Sequence, residues 1–179
     1  MSTEEGNRLF SQMDEWRREK ETYMADIKKL INQQFRQSDG VVSYFSYSLN
    51  LADVGEHIMI GSYHVLNVGS SAITNPYICL KFSEDHPFQF SGKYVTPNTS
   101  NQLRTAGSWE RIHQSDEEIW LKPLGEATIK PTEQLSFSNF QLKWKQDLPI
   151  QASLRGYTYS DQQKEGTPAV NQFNVSKVN

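Results

Sequence analysis

Apolar positions along the chain change period near Gly40. Between Leu9 and Gln34, alternating steps of four and three join Leu9, Met13, Trp16, Lys20, Tyr23, Ile27, Leu30 and Gln34, the spacing of a heptad seam. Neither Gly nor Pro interrupts residues 7–37, and Arg, Lys, Glu, Gln, Met and Leu are plentiful there, so the pattern predicts one long N-terminal α-helix. Phe10, Met24 and Ile31 widen the stripe, Lys20 and Gln34 interrupt it, and Ser38-Asp39-Gly40 supplies a stop. Two uses of such a helix stay open. It is an oligomerisation stalk built on Leu9, Met13, Trp16, Tyr23, Ile27 and Leu30, or it lies back on the rest of the chain.

After Gly40 the period is two. Gly, Pro, Asn and Ser clusters divide the sequence into runs at 41–51, 57–68, 76–82, 87–95, 108–113, 118–122, 134–145, 149–159 and 170–178, which read as short antiparallel strands. Ile78, Leu80 and Phe82 fall on one face of their run. In 134–145 the apolar phase slips from Leu135 and Phe137 to Phe140, Leu142 and Trp144, and a β-bulge at Ser138-Asn139 repairs it. Residues 96–107 are polar and aperiodic, as in a long exposed loop. The expected organisation is a flexible terminus over 1–6, the heptad helix over 7–37 and an antiparallel β-sandwich over 41–179.

Two strings resemble a known family. Tyr63-His64-Val65-Leu66-Asn67-Val68-Gly69 through Asn75-Pro76-Tyr77-Ile78-Cys79-Leu80, and Ile129-Lys130-Pro131-Thr132-Glu133-Gln134-Leu135-Ser136-Phe137, are similar to strand-turn-strand stretches of immunoglobulin-like bacterial modules of the cell-adhesion-related, CARDB-like kind. Asn67 and Gly69 suit positive φ at a turn, and Pro131 suits the end of an edge strand. The chain departs from that pattern where Thr132-Glu133 stands for the usual Gly-Glu, and in its heptad segment. The resemblance spans roughly residues 57–160, implies the sandwich fold and transfers no active residues.

A chain of 179 residues has room for one such domain and an appendage. Net charge is −3, and the only positive segment, 7–37, reaches just +2, so no phosphate-binding footprint exists and nucleic acid is not an expected partner. No apolar stretch has transmembrane length, so no membrane partner is expected either. The start, Met-Ser-Thr-Glu-Glu-Gly, lacks the apolar core of a signal peptide; the default expectation is a cytoplasmic protein, with export by a non-Sec route left open.

Candidate chemistry is sparse. The single cysteine, Cys79, reads as a packed thiol without an acid or His beside it, and no Gly-x-Ser-x-Gly elbow is present. Gly55 to Gly61 lacks the Lys-Ser/Thr of a phosphate loop. His57 and His64, seven apart, fall on opposite strand faces, while Asp85-His86 reads as a solvated turn. Ser115-Asp116-Glu117-Glu118 lacks calcium-loop spacing and reads as a hairpin turn. Asn98-Thr99-Ser100 and Asn174-Val175-Ser176 match a glycosylation pattern by coincidence. No catalytic residue, metal site or cofactor is expected.

Aromatics carry more. Trp109, Trp120, Trp144, Tyr94, Tyr157 and Tyr159 lie in or beside strands, as sandwich core or as an exposed row. Trp120, opposite in phase to Ile119 and Leu121, is the best outward candidate; Tyr157 and Tyr159 share a face with Arg155. The expected function is a non-enzymatic interaction module that self-associates or docks on a protein through its helix. A carbohydrate- or peptide-binding module using Trp120, Tyr157 and Tyr159 is the first alternative, and a subunit of a secreted or phage-like fibre the second.

Overall fold

The computed structural model describes residues 15–18, 20–22, 25–26, 40–96, 108–145 and 150–177. The chain divides into two units, Met1–Gln37 and Ser38–Asn179. In the second, the strands are β1 (Val41–Asn50), β2 (Glu56–Asn67), β3 (Ile73–Thr74), β4 (Tyr77–Phe82), β5 (Gln89–Ser91), β6 (Trp109–Gln114), β7 (Glu118–Pro123), β8 (Thr128–Ile129), β9 (Gln134–Lys145), β10 (Ile150–Tyr159), β11 (Thr167–Pro168) and β12 (Phe173–Lys177).

The long N-terminal α-helix is a misreading. Helical backbone among the described residues is confined to 15–18, 20–22 and 25–26, and the described chain is mainly strand. Propensity alone gives only marginal helices; a packed apolar face supplies most of their stability. Trp16 and Lys20, the two seam positions described, are both exposed, Trp16 at 67%, with the Lys20 ammonium 6.0 Å from the Trp16 ring centroid. The coiled-coil expectation falls with the helix. Leu9, Met13, Tyr23, Ile27 and Leu30 lie outside the described residues, as do the terminus 1–6 and the loop 97–107.

The β-sandwich expectation is met. One sheet runs β1-β2-β9-β5, the other β11-β10-β4-β7-β6 with β12 also on β10, and β3 pairs β8 in a small ribbon. Strict alternation builds the core: Met59, Tyr63 and Val65 face Ile78, Leu80, Leu121 and Leu154 across the two sheets, all fully buried. The bulge falls where the phase slip puts it. Phe137 pairs Tyr63 and Phe140 pairs Gly61, so Ser138 and Asn139 together oppose Ser62, and Asn139 takes φ 60°. Both Phe137 and Phe140 therefore point inward, their rings parallel within 7° and 5.9 Å apart.

Tyr63 ties the sheets together. Its hydroxyl donates to Ser43 Oγ of β1 at 2.8 Å and lies 3.0 Å from Thr158 Oγ1 of β10. Gly156 makes room for the ring, since a Cβ there would sit 2.1 Å from Tyr63 Cε2.

Two turn assignments are corrected. Neither Asn67 nor Gly69 takes positive φ; Gly40 and Thr132, at 77° and 70°, do. Asn67 is buried, and its side chain works as a staple: Nδ2 donates to Ser71 O and Ile129 O at 2.8 Å, and Oδ1 accepts from Gly69 N at 2.9 Å. At the edge of the smaller sheet, Asn171 Oδ1 accepts from Phe45 N at 2.7 Å and Nδ2 donates to Phe45 O at 2.9 Å, occupying both backbone groups of that β1 residue.

Candidate functional site

Inward facing of Ile78, Leu80 and Phe82 forces Tyr77, Cys79 and Lys81 onto the outer face of the larger sheet. By the same rule β7 presents Glu118 and Trp120 outward, and β10 presents Arg155, Tyr157 and Tyr159. Register then brings them into rows: Arg155, Lys81 and Glu118 lie abreast, then Tyr157, Cys79 and Trp120, then Tyr159 beside Tyr77. All three aromatics singled out in the sequence thus converge on one face.

Tyr77 completes the cluster. Its ring stacks on Tyr159 with centroids 5.1 Å apart and planes within 9°, and Trp120 lies 5.1 Å from Tyr159 and 6.1 Å from Tyr77. Sequence reasoning missed Tyr77, although its phase, opposite to Ile78, was the available signal. Trp109 and Trp144 are core, at 5% and 2% exposure.

Between these rings and one end of the sheet lies a groove of about 540 Å³, with Trp120, Tyr157 and Tyr159 at one side and Lys81, Glu117 and Arg155 among its polar walls. Small Cys79 forms the floor; flanked in register by Tyr157 and Trp120, it is 2% exposed. Burial, aided by the Glu118 charge, pushes its thiol up to about 12, which removes it as a nucleophile. Glu118 organises the wall. One carboxylate oxygen accepts from Trp120 Nε1 at 2.9 Å and the other from Lys81 Nζ at 3.0 Å. The indole and then Lys81 hold that carboxyl below its ordinary value. Arg155 Nε donates to Gln172 Oε1 at 3.1 Å, which fixes the guanidinium at the groove's edge.

A second polar cluster sits on the outer face of the smaller sheet. Ser46 Oγ is 2.7 Å from His64 Nε2, and Ser136 Oγ is 2.8 Å from Nδ1. Tyr44 donates to Gln134 Oε1, so the amide nitrogen of Gln134 is the group 3.1 Å from His64 Nδ1. That nitrogen donates, Nδ1 accepts, and neutral His64 carries its proton on Nε2, where it faces Ser46. Partial burial lowers the His64 pKa and favours this neutral form. In this arrangement Nε2 donates to Ser46 Oγ.

Other candidates resolve simply. His57 and His64 do lie on opposite faces, and His57 packs on Trp144 with centroids 5.4 Å apart. Ser115 and Glu118 close a hairpin turn, Ser115 N donating to Glu118 O at 2.8 Å. His86 is less solvated than a free turn residue, stacking on Phe82 at 4.6 Å. Among the described residues no group of three or more His, Cys, Asp or Glu is arranged to hold a metal, and no helix there is long and apolar enough to cross a membrane.

No protein-family model and no curated protein matches the chain. Solved structures of similar outline include the carbohydrate-binding module CBM3b of the cellulosomal cellobiohydrolase 9A from Clostridium thermocellum, at 12% identity and TM-score 0.39 over 72% of this chain and 97% of that one. AvmM, which catalyses macrocyclization in alchivemycin A biosynthesis, gives 12% and 0.42 over 79% and 91%. The bacterial hydrophobin BslA gives 8% and 0.38 over 78% and 96%. Likeness at this level assigns no function, so the residues must carry the reading.

Proposed function

We propose that this protein is a non-catalytic carbohydrate-binding module whose ligand lies on the outer face of the larger sheet. The observation that carries the reading is the convergence of Trp120, Tyr157 and Tyr159 on a groove walled by charged and hydroxyl side chains, with Tyr77 stacked on Tyr159 beside it. A sugar ring has apolar C–H faces and a hydroxyl edge. Aromatic rings match the first and carboxylate, guanidinium and serine groups the second. An extended peptide is a poorer fit, because the groove lies over β4, paired on both sides by β10 and β7, and offers no strand edge to extend.

Binding should be tested with the full-length chain on an immobilised panel of neutral, amino and acidic glycans, followed by calorimetry on any responder. Trp120→Ala is expected to cut affinity by at least about tenfold, the scale of losing one central aromatic contact. A panel without a responder, or binding indifferent to Trp120→Ala, overturns the reading.

A further inference from the structure

A second depression, of about 560 Å³, opens at the end of the sandwich beside the first. The two share Phe82, Glu84 and Glu117 in their linings, so one begins where the other stops. Each alone has the size of a small-ligand site, roughly 300–1,000 Å³, and the pair is far more than one sugar ring fills.

The shared rim is built rather than loose. Phe82 N donates to Glu117 O at 2.7 Å, and Ser83 N to Ser153 O at 3.0 Å, which fastens the end of β4 to the residue before β7 and the residue after β4 to β10. Beyond it, His86 Nδ1 accepts from Phe88 N at 3.1 Å. Its Nε2 must then carry the proton, donated to Asp116 O at 2.6 Å. Both ring nitrogens are thereby engaged, and the imidazole is held against Phe82 with planes 29° apart. Asp85, Asp116 and Gln114 line the same depression. Carboxylate oxygens of this kind accept from neighbouring hydroxyls of a polyol, while Gln114, whose Oε1 accepts from Arg111 Nη1, offers its amide N–H groups. Alone, this acidic mouth would point to no ligand; its continuity with the aromatic groove gives it one.

Resting on the carbohydrate reading above, we infer that the ligand is a chain rather than a single ring: an oligosaccharide of several units that runs from Trp120 and Tyr159, over the Glu84 and Glu117 rim, into the depression beside His86. The aromatic groove anchors one part of the chain. The second depression adds contacts only when the chain is long enough to pass the rim.

The test is calorimetry of the full-length protein against cello- and chito-oligosaccharides of two to six units. Affinity is expected to climb by about tenfold or more with length, about 1.4 kcal/mol, and then level off. Asp116→Ala, which removes a carboxylate acceptor from the second depression at an exposed turn position, is expected to weaken the longest chain towards the affinity of the shortest while leaving the shortest unchanged. Asp85→Asn, which tolerates the φ of 54° there, is expected to weaken long chains alone. Affinity independent of length, or long chains indifferent to both variants, overturns the inference while a Trp120→Ala loss keeps the carbohydrate reading intact. Failure of every chain in these series to bind overturns the inference alone, whereas indifference of binding to Trp120→Ala overturns both.

Discussion

The carboxylate of Glu118 accepts the indole N–H of Trp120, two residues along the same strand, at 2.9 Å, and so sets the plane of the ring on which the groove depends. Glu118→Gln should weaken glycan binding by about tenfold, the usual scale of a hydrogen bond to a charged group. The pH dependence has a definite sign. The folded carboxyl is held below its ordinary value of 4.5, so it stays ionised and accepts from the indole until pH falls through that lower value. Binding measured at stepped pH should stay level from neutrality to about 4.5 and decline below it. The Gln variant should lack this decline.

Cys79 reports on the same rings. With its thiol buried and its pKa pushed up to about 12, it should react with a disulfide reagent at pH 8 at least about a hundredfold more slowly in the native protein than in denaturant. Trp120→Ala and Tyr157→Ala remove its flanking walls. Either should accelerate labelling in otherwise native protein, as judged by unchanged circular dichroism, and a saturating ligand should slow labelling of the wild type.

Alkaline stability follows from Tyr63. Burial raises its pKa from 10.0 to about 12, so the stabilisation is complete below pH 10 and is lost as pH rises towards 12. Cys79, raised from 9.0 to about 12, acts with the same sign from pH 9 upward. Two units correspond to about 2–3 kcal/mol for Tyr63. Urea midpoints taken from pH 8 to 11.5 should fall steeply, and Tyr63→Phe should flatten the upper part of that slope. At neutral pH the same variant should cost about 1–3 kcal/mol, because Ser43 and Thr158 lose a buried partner.

Thr132 is the residue most easily improved. It occupies φ 70° at the third position of the Lys130-Pro131-Thr132-Glu133 turn, where Glu133 N donates to Lys130 O at 3.0 Å. A β-branched side chain is poorly suited to that conformation, and Gly is the residue such turns prefer. Thr132→Gly should therefore raise the unfolding free energy by about 1 kcal/mol in denaturant titration.

Much of the sandwich was legible because burial enforces alternation. A strand with one face in the core must place every second residue there, so the slip between Phe137 and Phe140 had only one repair, the bulge at Ser138 and Asn139. Strands of two residues, such as Ile73–Thr74 and Thr167–Pro168, carry no period to read. Trp120, Tyr157 and Tyr159 were placed on faces by the same rule, but their meeting with Tyr77 depends on the register of β10, β4 and β7, which no local pattern encodes. Asn67 was read as a turn residue for its backbone, whereas its side chain does the work. A helical repeat over 7–37 states an apolar face without naming what covers it, which is why it misled.

Asn171 gives the outermost strand of the smaller sheet a false neighbour: one amide occupies the donor and the acceptor of Phe45 that another chain would need. With Val170 N donating to Ser43 O at 2.8 Å, the segment after β11 leaves this stretch of β1 fewer open backbone groups for a second copy to pair.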